Sequence, residues 1–161
     1  MATEKYKDDL SELYQNEIIG EVLCDRLLAT CEDSLQRYKI ATMLQLETET
    51  KARLRPVLLS LGIDVAENPA SVQGGEQFAE AVGSLPWPEF VVALRDAIKP
   101  YVERYKEMAA AAPKDHQDTF DLMVRHEQAF YSFCELEASG NGDESLDAVI
   151  EELQFPLPKP S

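Results

Sequence analysis

Three glutamates stand where a helical core would be apolar. Glu17 lies in Leu13-Tyr14-Gln15-Asn16-Glu17-Ile18-Ile19-Gly20-Glu21. Glu47 lies in Met43-Leu44-Gln45-Leu46-Glu47-Thr48-Glu49-Thr50, and Glu127 in Met123-Val124-Arg125-His126-Glu127-Gln128-Ala129-Phe130. A carboxylate is costly to bury unless it is protonated, paired or bound to a cation. Three of them at one level of a core make an oxygen-rich site of the kind that hard cations, iron and manganese accept. The same three make a plain polar layer if they are protonated and hydrogen-bonded, because burial and mutual proximity both raise carboxyl pKa values. Both readings stand open at the level of sequence.

The elements that must position them read as helices. Residues 8–31 carry Leu10, Leu13, Glu17, Gly20, Cys24, Leu27, Leu28 and Cys31 at the three-and-four spacing of one helix face. Gly20 weakens such a helix by about 1 kcal/mol relative to alanine, so close approach by another helix or a ligand is expected there. Residues 34–61 carry Tyr38 or Ile40, then Met43, Leu44, Glu47, Thr50, Leu54, Val57, Leu58 and Leu61, with Asp33 or Ser34 as N-cap and Gly62 as stop. Pro56 predicts a bend in that helix. Residues 62–87 differ in kind: Asn68-Pro69, Gly74-Gly75 and Pro86-Trp87-Pro88 are turn signals, with a short helix expected only over 77–82.

A third long helix is predicted over 88–112, with Phe90, Val91, Leu94, Ala97, Ile98, Tyr101, Tyr105 and Met108 on its stripe. No carboxylate falls centrally on it, Tyr101 takes the middle of the face, and Pro100 predicts a kink. A fourth runs over 117–139, with Phe120, Met123, Glu127, Phe130, Cys134 and Glu137, and stops at Gly140-Asn141-Gly142. A short helix over 143–153 then leads into a polyproline-like tail from Phe155 to Pro160. There is no strand alternation and no internal repeat.

The bulk composition narrows the classes. A chain of 161 residues, 45% hydrophobic with mean hydropathy −0.29, fits one domain over 1–161. Its core bundle is expected over about 8–140, with a C-terminal helix and Pro-rich tail over 143–161. A net charge of −15 argues against a nucleic-acid partner or an anionic membrane surface, which need clustered Lys and Arg. No apolar run approaches the roughly 20 residues of a membrane span. Residues 1–7 are polar and lack the apolar segment of a signal peptide, so a cytoplasmic location is expected. Cys24, Cys31 and Cys134 form no Cys-x-x-Cys pair and read as small core residues.

This order of helices, with a long crossover between the second and third, resembles the ferritin-like superfamily, the rubrerythrin-like and di-iron carboxylate four-helix bundles. The segments that carry the likeness surround Glu17, Leu46-Glu47-Thr48-Glu49-Thr50, and His126-Glu127-Gln128-Ala129-Phe130-Tyr131-Ser132-Phe133. In those bundles two helices each give a Glu and two give Glu-x-x-His. The resemblance implies Glu17, Glu47 and Glu127 as metal ligands, with Thr50, Tyr101 and His126 around them, and iron or manganese as the ion.

Three departures cut against a full two-metal site. Thr50 and Phe130 stand where the two histidines belong, and Tyr101 lies near the level of the missing third-helix glutamate. His126 lies about 100° around the helix from Glu127 and is expected half-exposed beside an acid; His116 is too far along. The reading is therefore a degenerate or non-enzymatic relative of the di-iron proteins that holds one ion or none. The alternative is an iron- or manganese-dependent oxidoreductase or hydroxylase acting on a small molecule. A homodimer or another protein is the expected partner, with no nucleic acid and no membrane.

Overall fold

The computed structural model describes residues 2–161, with side chains from Glu4 onward. The described residues form six α-helices and no strand: α1 (Ala2–Thr30), α2 (Ser34–Ser60), α3 (Pro69–Val82), α4 (Trp87–Ala111), α5 (Gln117–Ala138) and α6 (Asp147–Glu152). A 3-10 turn over Lys114–His116 precedes α5. The chain is thus all-α, as the helical periodicity predicts. No helix among the described residues is long and apolar enough to cross a membrane.

Local chemistry sets most of the boundaries. Asp33 caps α2, its Oδ1 accepting the Gln36 N–H at 2.8 Å. The Arg37 guanidinium donates to the Leu28 and Cys31 carbonyls, both at 2.7 Å, and so satisfies orphan acceptors at the end of α1. At the end of α5, Gly140 adopts φ 83°, and Asn141 N–H reaches Leu136 O at 2.8 Å. That left-handed turn is the reason for glycine there. Pro56 and Pro100 lie inside helices that continue through them.

Three elements differ from the sequence reading. The helix α1 begins at Ala2 rather than near residue 8, because Tyr6 extends its buried face and stacks on His116 at 5.3 Å. The crossover holds a fourteen-residue helix rather than a short one over 77–82. Asn68 caps it through Ala70 N–H at 2.9 Å, with Pro69 at its first position. Gly75 interrupts the propensity for a tertiary reason: a Cβ there would meet Ile19 O at 2.7 Å, so α3 lies hard against α1. The last helix shortens to Asp147–Glu152. The residues before it are drawn into a buried polar cluster in which the Glu137 carboxylate pairs with Lys39 and accepts from Ser145 Oγ at 2.6 Å and Trp87 Nε1 at 2.7 Å.

Helices α1 and α2 pack as one pair and α4 and α5 as another, with α3 laid on α1. The pairs meet through α2–α5 and, more sparsely, α1–α4. The apolar core falls into two clusters. One holds Tyr6, Leu10, Leu13, Leu54, Tyr105 and Phe120 among its members. The other holds Leu27, Met43, Leu46, Phe90, Val91 and Phe133 among its members. Glu17, Glu47, Thr50, His126 and Glu127 are buried between the two sets on their helices.

The chain beyond α6 is held by Glu49, whose carboxylate accepts the Gln154 and Phe155 N–H groups at 2.7 and 2.8 Å. Glu49→Ala is expected to lower stability by about 1–2 kcal/mol. Proteolysis of residues 153–161 should accelerate. A tail equally resistant in the variant would show that these bonds do not hold it.

Candidate metal centre

The helix period brings Glu17 of α1 and Glu47 of α2 to the interior, where they are 1% and 7% exposed. Gly20, one turn beyond Glu17, makes the room: a Cβ at that position would lie 2.0 Å from Glu47 Oε1. The glycine expected to mark a close approach marks the approach of this carboxylate.

The third group of the cluster is His126 of α5. Ligand atoms of Glu17, Glu47 and His126 lie within 4.8 Å of one another. His126 Nε2 is 3.3 Å from Glu17 Oε2 and 3.4 Å from Glu47 Oε2. Around a first-row ion bound at about 2.1 Å, two ligands stand about 3.0 Å apart at a right angle and about 3.4 Å apart at a tetrahedral one. The observed gaps therefore have the size of ligand-to-ligand spacings. Both of those carboxylate oxygens are buried and without a hydrogen-bond partner, which a bound cation would satisfy.

Behind the imidazole, Nδ1 lies 3.0 Å from Thr50 Oγ1. With the proton on Nδ1 and donated to Thr50, Nε2 turns its lone pair toward the two carboxylates, the arrangement a metal-binding histidine needs. The Phe130 ring packs edge-on against His126 with centroids 4.6 Å apart and helps to fix the ring plane.

The electrostatics of these groups without an ion are unfavourable. Burial, and then the adjacent Glu47 carboxylate, push the Glu17 carboxyl well above the ordinary carboxylate range. The facing oxygens, Glu17 Oε2 and Glu47 Oε2, have no donor. Glu127 is raised by the same two causes in the same order. Burial first, then Glu127 and Glu17, raise the Tyr105 phenol. A dication would neutralise two carboxylates here.

Glu17 and Glu47 meet. Glu127 is buried and lines the same cavity as they do, but the close three-residue cluster contains His126 and not Glu127. Thr50 stands behind the histidine. His126, expected half-exposed, is 1% exposed. It lies three residues after Met123 and four before Phe130, both buried, and that spacing is the signal that could have placed it inside. Tyr101, expected in the middle of its helix face, is 40% exposed. The buried face of α4 runs through Ile98, Val102 and Tyr105, leaving Tyr101 at its edge, and the inward phenol is Tyr105. Its hydroxyl accepts a hydrogen bond from Asn16 Nδ2 at 3.0 Å. Glu21, one turn from Glu17, turns instead to Lys51 at 2.7 Å and Thr48 at 3.1 Å. Cys24 and Cys134 are buried as expected, whereas Cys31 is half-buried in the α1–α2 link.

Beside the cluster lies a cavity of about 240 Å³. Asn16, Glu17, Glu47, Glu127 and Tyr105 line one part of it, and Leu23, Leu27, Phe78, Phe90, Leu94 and Phe130 another. Comparison of the chain with protein-family models, curated proteins and solved structures finds no match. The site is therefore read from its own geometry.

Proposed function

We propose that this protein is a ferritin-like helical bundle that holds one divalent transition-metal ion, iron(II) or manganese(II), on Glu17, Glu47 and His126. The observation that carries this reading is the convergence of three buried ligand atoms within 4.8 Å, two of them oxygens with no hydrogen-bond partner. Two carboxylates and one imidazole suit either ion. The bundle reading is supported by two helix pairs separated by a long crossover and meeting through α1–α4 and α2–α5. One ion is favoured over two because the cluster contains a single imidazole, and Thr50 and Phe130 occupy both histidine positions of the di-iron pattern. The ion would supply Lewis-acid or one-electron chemistry. The chain's own residues orient the imidazole and hold two negative charges.

Protein purified without tag or chelator is expected to carry iron or manganese by elemental analysis. After metal removal it should take up one equivalent of either ion. Glu17→Ala, Glu47→Ala and His126→Ala should each lower that affinity by about 100-fold or more, whereas Glu127→Ala retains the ion. Stoichiometric metal surviving the Glu47 or His126 change would sink the ligand assignment. Failure of the unaltered protein to bind either ion would leave a proton-sharing polar layer in its place.

A second reading, a metal-dependent oxidoreductase acting on a small molecule, is favoured by the cavity that reaches the same carboxylates. It predicts dioxygen consumption by the iron(II)-loaded protein above that of its His126→Ala variant.

A further inference from the structure

The cavity beside the metal cluster has a shape and a polarity. It lies in the gap between α1 and α4, which touch each other far less than either touches its hairpin partner. On α1 its lining runs from Asn16 to Leu27, eleven residues further on or about 16 Å of helix. On α4 it runs from Phe90 to Tyr105. A volume of 240 Å³ spread along that length makes a narrow cleft, half open to solvent. For comparison, a cavity of about 150 Å³ holds one benzene.

Two lining residues are small: Ala97 on α4 leaves space between the walls, and Gly20 on α1 admits the Glu47 carboxylate. Close-packed cores do not leave such channels without cause. Phe78 of α3 lines the part of the channel that also contains Leu23 and Leu27. Of the lining residues only Tyr101 is widely exposed, and it marks the opening. The two ends differ in chemistry. Leu23, Leu27, Phe90 and Leu94 make one end apolar. Asn16, Tyr105 and the carboxyls of Glu17, Glu47 and Glu127 make the other polar and rich in acceptors.

We propose that this channel binds an unbranched aliphatic chain whose non-anionic, hydrogen-bond-donating head, an alcohol or an amine, lies among Asn16, Tyr105 and the three glutamates. The tail extends between α1 and α4 toward Leu27 and Phe90. A carboxylate head would bring only acceptors to an end where Glu17 Oε2 and Glu47 Oε2 already lack a donor. At about 1.3 Å of advance per carbon–carbon bond, a length of about 16 Å accepts roughly twelve carbons. The proposal stands on the cavity and not on the ion, so metal-free protein tests it directly.

The test is calorimetric titration of metal-free protein with hexanol, octanol, decanol and tetradecanol, and with octylamine and octanoate. Expected is one site per chain, with affinity rising about fourfold for each buried methylene and levelling off beyond roughly twelve carbons. Octanoate should bind at least tenfold more weakly than octanol. Ala97→Phe, which fills the channel between the walls, should weaken decanol binding at least tenfold. Nuclear Overhauser contacts from the decanol methyl to Leu27 or Phe90 provide a second readout on the unaltered protein, independent of whether the variant folds.

Affinity that keeps rising with chain length, contacts confined to surface residues, or octanoate binding as well as octanol would overturn the assignment. So would the absence of saturable binding by any alcohol. Repeating the octanol titration with manganese(II) present separates the two readings, because alcohol binding without metal uptake removes only the ion.

Discussion

Gly20→Ala is expected to lower metal affinity by about 10–100-fold while leaving the bundle folded. The alanine Cβ would fall 2.0 Å from Glu47 Oε1 and 2.4 Å from its Cδ. Those atoms are the far end of a flexible side chain, so the strain is relieved by turning the carboxylate away rather than by moving a helix. Alanine also suits a helix interior better than glycine by about 1 kcal/mol. The two effects therefore act on different quantities. The fold keeps or gains stability, and the proposed ion would lose a positioned ligand, a change of the size seen when groups that orient ligands are removed. Metal titration beside thermal unfolding checks both; undiminished affinity would show that Glu47 does not ligate from this rotamer. A steric substitution of this kind also differs from Glu47→Ala in leaving the carboxylate in the chain.

Glu127→Gln is expected to stabilise the metal-free protein by about 1–3 kcal/mol near neutral pH and to have almost no effect at about pH 4. Burial and the Glu47 carboxylate hold the Glu127 carboxyl well above its ordinary value in the folded state. The folded state then binds more protons than the unfolded chain across the interval between the two values. Stability is accordingly complete below the ordinary carboxyl range and falls as pH rises toward the folded value. Glutamine does not titrate, so the advantage of the variant grows over the same interval. At about 2–4 °C per kcal/mol for a chain of this size, thermal unfolding at the two pH values resolves the difference. An equal gain at both would locate the effect in packing rather than in charge. Bound metal should survive this change, since Glu127 lies outside the close cluster.

Glu127 and His126 together mark the limit of reading a site from spacing. A helix turns by about 100° per residue, and an apolar stripe is at least that wide. Two adjacent residues can therefore both fall inside it. Met123 and Phe130 flank the pair equally well, and nothing along α5 says which of the two faces the carboxylates of α1 and α2. Tyr101 and Tyr105 pose the same question on α4, one helical turn apart. The rotation of each helix about its own axis answers it, and that rotation is a property of packing.

By itself the sequence determined the all-helical class, the long helices and most of their ends, and the inward positions of Glu17 and Glu47. These follow from local causes: periodicity along one helix, the Asp33 cap, the glycines after α2 and α5, and the absence of alternation. Only the tertiary structure decided that His126 completes the cluster and that Thr50 stands behind it. It also decided that the crossover folds as a helix against α1, that Tyr101 lies at an opening, and that a channel separates α1 from α4. Each of these depends on how far apart two helices lie and how each is turned about its axis. Those quantities come from contacts between residues distant in the chain, such as Gly75 against Ile19 or Gly20 against Glu47, and no local pattern encodes them.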